Sequence, residues 1–141
     1  MEAMTTPSTS TTSNRQGKGA RAGWTALALF LATFAIFESA KYGLPTATAA
    51  LALFVLPDLT MLIGVRSAAT LKRGQLASRA VPFYNAMHRA WIPGALLVTY
   101  SLGIVDFPPL FTAGLAWLTH IAVDRAAGYG LRDRDGFQRR G

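Results

Sequence analysis

Four stretches of this chain are long and almost wholly apolar. Residues 24–42 read WTALALFLATFAIFESAKY, residues 45–65 read PTATAALALFVLPDLTMLIGV, a third stretch runs from Pro82 to Val105, and a fourth follows DFPP at 106–109 and closes on GYG at 128–130. A helix that crosses the hydrocarbon of a bilayer needs about 20 mostly apolar residues, because it rises about 1.5 Å per residue through a layer about 30 Å thick. Each stretch reaches that length. In hydrocarbon every backbone N–H and C=O must find its partner inside the protein, which leaves the helix as the structure for such a segment. The fold expected is all-α, a four-helix transmembrane bundle.

Composition agrees. Only 15% of the 141 residues are charged, where a soluble domain carries about a quarter. The formal net charge of +7 invites a nucleic-acid reading, but the basic residues lie between apolar blocks and form no stripe along one face, so no nucleic-acid partner is expected. The chain has no cysteine, which removes disulfides and thiolate metal sites. Residues 1–22 are rich in Ser and Thr and lack apolar periodicity. The expected organisation is therefore a disordered polar lead at 1–22, a transmembrane domain at 23–131 and a basic tail at 132–141.

The ends of the spans carry helix punctuation. Pro45, Pro82 and Pro108 fall in first turns, where a missing N–H does no harm. Asp106 is placed to cap the fourth helix, and Gly128 and Gly130 suit a left-handed exit. Arg15, Lys18 and Arg21 precede the first span, Arg66, Lys72, Arg73 and Arg79 fill the loop between the second and third, and Arg132, Arg134, Arg139 and Arg140 lie in the tail. Positive residues stay on the cytoplasmic side. Both termini and the middle loop are thus expected inside, with the protein in the plasma (inner) membrane.

That orientation converts sequence position into depth. Asp58 precedes Arg66 by eight residues, His88 follows Arg79 by nine, and His120 precedes Gly128 by eight. All three fall roughly 12 Å from the cytoplasmic boundary. Asp124 lies one turn from His120 on the same face. An ionised group at mid-bilayer costs about 2.5–3.5 kcal/mol on insertion scales, so such groups turn inward and find partners. Two imidazoles and two carboxylates form a ligand set for a divalent metal such as zinc or iron. They also form a proton-sharing set, with His88, His120 and Asp124 as candidate catalytic groups. The competing structural reading is a set of separate interhelical hydrogen bonds, each worth about 0.6 kcal/mol.

Asn85, Arg89 and Arg125 are candidate substrate-binding residues, the two guanidiniums as clamps for phosphate or carboxylate; snorkelling to the interface is the alternative for both. Tyr84 and Tyr129 read as interfacial anchors, and Glu38 and Lys41 as a pair across one turn at the opposite end of span one. Pro57 and Pro93 are interior to spans two and three, where each removes a helical hydrogen bond.

The blocks LPDLTML at 56–62, YNAMH at 84–88 and HIAVDRAAGYGL at 120–131 resemble those of a small bacterial four-helix integral-membrane family of unknown function. The resemblance covers residues 24–137, including GF at 136–137, and the middle loop looks longer than is usual there. It implies a shared four-helix membrane fold with Asp58, Asn85, His88, His120, Asp124 and Arg125 at motif positions, and no established activity. Two functions stay open. One is a metal-assisted membrane enzyme acting on a lipid or amphiphile. The other is a non-enzymatic membrane protein, either an assembly partner or a proton or ion transporter subunit, for which a pathway through so thin a bundle needs a homo-oligomer.

Overall fold

The computed structural model describes residues 10–139; the first nine residues of the expected lead, and Arg140 and Gly141 of the tail, lie outside them. Helix α1 spans Ser10–Tyr42 and α2 spans Leu44–Leu59, running on as a 3-10 segment, η1, over Thr60–Thr70; α3 is Val81–Met87, α4 is Trp91–Ser101 and α5 is Pro108–Ala127. With α2 and η1 as one arm and α3 and α4 as another, the chain makes four helical arms. Among the described residues there is no β-strand, only an isolated antiparallel bridge between Arg132 and Gln138. Two arms, Gly17–Tyr42 and Leu44–Thr70, are long and apolar enough to cross a membrane.

The arms alternate in direction. Leu31 and Ala35 of α1 pack on Leu115 of α5, while Arg21 reaches Gly128 at the far end of α5, so α1 and α5 are antiparallel. Tyr100 of α4 stacks on Phe111 near the start of α5, with centroids 4.3 Å apart, so α4 is antiparallel to α5 as well. In contrast, α2 runs parallel to α5, with Ala50 level with Ala116 and Asp58 level with His120. Helix α5 is central, burying Thr112–Ala116 and Thr119–Ala122. Its small residues let three neighbours approach closely. Thr112 and Thr119 satisfy their buried hydroxyls on the carbonyls of Pro108 and Leu115, four residues back.

Several local expectations are met and several are not. Pro45, Pro82 and Pro108 all stand in first turns, and Gly128 ends α5 at φ 92°, with Tyr129 N–H donating to the Asp124 carbonyl at 2.8 Å. Asp106 caps nothing. The residue before α5 is Phe107 in extended conformation, with no side-chain cap, because Pro108 and Pro109 at the first positions already lack the N–H groups a cap would serve. Helix α1 begins at Ser10, within the expected lead. Extending an existing helix fixes one residue per hydrogen bond, and no proline interrupts this stretch. Lys41 lies over the Tyr42 ring, 4.6 Å from its centroid, and Glu38 is buried, so the expected pair does not form.

The third span is broken. In a continuous helix Pro93 would clash with the carbonyl of Arg89 and could not donate to it. The chain instead leaves the helix at His88 and restarts at Trp91. The Met87 carbonyl freed by the break accepts a hydrogen bond from the Trp117 indole of α5 at 2.6 Å.

The tail folds back on the middle loop. Leu76 N–H donates to the Gly136 carbonyl at 2.9 Å, Gln75 Nε2 to the Asp135 carbonyl at 2.8 Å, and Arg132 to the Gly74 carbonyl at 2.8 Å. Asp133 Oδ1 closes the turn by accepting from the N–H groups of Asp135 and Phe137. Gly136 is buried at φ 90°, and a Cβ there would collide with the Leu76 carbonyl. Only glycine fits.

Candidate metal centre

Four side chains from three arms meet at one point: Asp58 near the end of α2, His88 in the α3–α4 break, and His120 and Asp124 one turn apart on α5. The common depth expected for them is what allows this. His88 Nε2 lies 3.3 Å from Asp124 Oδ2, 3.3 Å from His120 Nε2 and 3.8 Å from Asp58 Oδ1. His120 Nε2 lies 3.5 Å from Asp58 Oδ1 and 3.8 Å from Asp124 Oδ2. All four ligand atoms fall within 4.8 Å of one another.

These separations are those of a small tetrahedron. Zinc bonds of about 2.0–2.1 Å to nitrogen and oxygen give a tetrahedral edge of about 3.3–3.4 Å. Five of the six edges, at 3.3 to 3.8 Å, come within a few tenths of an ångström of that, and the sixth, between the Asp58 and Asp124 oxygens, lies within 4.8 Å.

The hydrogen-bonding pattern shows which atoms are free. His88 Nδ1 is 2.8 Å from the Tyr84 carbonyl. A carbonyl only accepts, so Nδ1 carries the proton, and neutral His88 turns a lone pair on Nε2 toward the centre. It faces two carboxylate oxygens and the second Nε2. Even where His120 Nε2 carries a proton, one N–H meets three acceptors, His88 Nε2 and two carboxylate oxygens, an arrangement that a cation or shared protons between them stabilise. The carbonyl-bound imidazole is the usual support of a metal-ligating histidine.

Burial divides the ligands. The side chains of His88 and His120 are 3% and 7% exposed and that of Asp124 is 22% exposed, whereas Asp58 is 54% exposed. Asp58 stands at the open vertex. One turn before Asp58 on α2, the Phe54 ring meets the His120 ring edge-on at 5.5 Å.

The remaining expected site residues lie apart from this centre. Asn85 does not present its amide to it: Nδ2 donates to the Arg132 carbonyl at 2.9 Å and Oδ1 accepts from the Arg132 N–H at 2.8 Å. These two bonds tie α3 to the tail, because an amide matches a peptide unit at both ends. Arg89 is exposed at the helix break, and Arg125 is half-buried beside Gly130. Every ion pair among the described residues involves His88 or His120.

Tyr84 and Arg132 were not legible as part of the surroundings. Tyr84 is buried, not interfacial; its ring stacks on His88 with centroids 3.8 Å apart and planes at 19°. The Arg132 guanidinium lies 5.5 Å from the Tyr84 centroid on the same stack. The one available signal was spacing: Tyr84 precedes His88 by four residues and so shares its helix face.

No curated protein and no solved structure matches the chain. A family match covers residues 24–140, which takes in all four residues of the cluster. The protein therefore belongs to the family described as a domain of unknown function, DUF4260.

Proposed function

We propose that this chain is a four-span integral membrane protein that holds a divalent metal, zinc or iron, on Asp58, His88, His120 and Asp124 and uses it on a lipid or amphiphilic substrate. The observation that carries the reading is the convergence of two imidazole nitrogens and two carboxylate oxygens within 4.8 Å of one another. A metal held there polarises a substrate oxygen or lowers the pKa of a bound water to about 7. The exposure of Asp58 supports a catalytic over a closed structural site, since catalytic zinc keeps three firm protein ligands and one exchangeable position. His88, His120 and Asp124 are the firm three, and Asp58 either completes the set or yields to water.

The membrane placement draws on three features. Large apolar side chains stand exposed around the bundle, among them Ile36 at 70%, Leu44 at 78% and Ile104 at 70%, more apolar surface than a soluble monomer leaves bare. The arms alternate in direction, as successive crossings do. The tail and the 72–77 loop, both basic and both assigned to the cytoplasm, are hydrogen-bonded to each other, so they share one side. An amphiphile is favoured as substrate by two apolar clefts of about 340 and 370 Å³ that share Ala32, Phe54 and Thr119 and abut His120 through Phe54.

Metal analysis of the full-length protein purified without chelator tests the reading. About one equivalent of zinc or iron per chain is expected, lost in the His88→Ala/His120→Ala variant. A wild-type protein carrying no more metal than that variant refutes it.

A further inference from the structure

Below the cluster, the end of α5 and the folded tail line an open cleft of about 650 Å³ that includes Arg125, Gly128, Tyr129, Gln138 and Arg139. Arg21 of α1 packs its guanidinium on Gly128 at the same place. Three guanidiniums thus gather from α1, α5 and the tail, and none pairs with a carboxylate, since the ion pairs among the described residues are those of the two histidines.

Capping does not account for them. At the end of α5 the Asp124 carbonyl accepts from Tyr129 N–H, that of Arg125 from Gly128 N–H, and that of Gly128 from Gln138 Nε2, and none of the three guanidiniums donates there. The Arg139 side chain makes one hydrogen bond, Nε to the Arg132 carbonyl at 3.1 Å, which leaves its terminal nitrogens free. Among the described residues the side chains of Arg21 and Arg125 donate to no protein acceptor, although Arg125 is half-buried. A guanidinium has five N–H donors and no acceptor, so these three side chains keep donors open to a ligand in the cleft.

We infer that this cleft is a binding site for a phosphate-type anion. Three guanidinium forks offer more donors than the two oxygens of a carboxylate can accept, whereas a phosphate presents three or four oxygens in a matching geometry. The anion comes either from a lipid headgroup or from solution, and both present the same chemistry to the arginines. The site is separate from the proposed metal centre and does not depend on it.

The test uses the full-length protein in detergent, with inorganic phosphate and phosphatidylglycerol as probes. Native mass spectrometry compares retention of phosphatidylglycerol with that of phosphatidylcholine of the same acyl chains, and thermal unfolding compares inorganic phosphate with chloride at equal ionic strength. Retention of the anionic lipid, or stabilisation by phosphate, is expected to fall about tenfold or more in Arg125→Gln and Arg139→Gln. It falls less in Arg125→Lys, which keeps charge without the fork, and stays unchanged in Arg89→Gln, whose arginine lies outside the cleft. A response to phosphatidylglycerol alone assigns a headgroup, and a response to phosphate alone assigns a soluble anion. Absence of both, or an equal loss in Arg89→Gln, overturns the inference; a zinc titration of the same preparations reads the metal centre independently.

Discussion

Substituting His120 by alanine removes a buried vertex of the tetrahedron and opens space beside Phe54. Structural zinc sites bind with about 10–16 kcal/mol at pH 7, so one ligand in four is worth about 2.5–4 kcal/mol, a loss of about 60- to 700-fold in affinity. Asp58→Asn is expected to cost much less, about tenfold or 1.4 kcal/mol, because the side chain is 54% exposed and water can take the vertex. Competition between the detergent-solubilised protein and a chromophoric chelator measures both, and cobalt in place of zinc adds an absorption spectrum that reports coordination geometry. Glu38 is a buried carboxylate on α1 outside the cluster, and Glu38→Gln should leave affinity unchanged. The reasoning fails if Asp58→Asn costs as much as His120→Ala, or if Glu38→Gln matches either one.

Other perturbations probe the supports of the site. Pro93→Ala restores a helical donor and lets α3 and α4 fuse, which rotates His88 away; helical circular dichroism should rise while metal affinity falls about tenfold or more, as for loss of an outer support. Asn85→Ala removes both hydrogen bonds to Arg132, a loss of about 1–3 kcal/mol, and hydrogen exchange should quicken across residues 131–139 first. Because the chain has no cysteine, single cysteines at Ser78 and Asp106 report orientation: an impermeant thiol reagent on intact spheroplasts should label the second and not the first. The reverse pattern would invert the proposed topology.

Much of this molecule could be read from local rules. Apolar run lengths located the arms, and prolines in first turns and the glycine exit of α5 marked their ends, since each depends on a few neighbouring residues. Counting residues from the charged loops placed Asp58, His88 and His120 at one level, because helical rise makes sequence distance a length. Those rules were weaker where two signals competed. Pro93 was legible as a disruption but not as the place where the chain would turn His88 inward, and Asp106 had the chemistry of a cap but preceded prolines that needed none.

What the sequence alone determined is the one-dimensional part: where the four apolar arms lie, which prolines and glycine mark their ends, and which ionisable groups stand at a similar level along them. The tertiary structure decided how each arm is rotated about its own axis, and through that rotation whether four groups at one level of the bundle face one another or face outward. It alone joined Asn85 to Arg132 across 47 positions of chain, stacked Tyr84 on His88 within hearing of the tail's Arg132, and folded a basic tail onto the middle loop. Depth follows from bonds along the chain, whereas rotation is settled only when small residues on α5 pack against three partners at once.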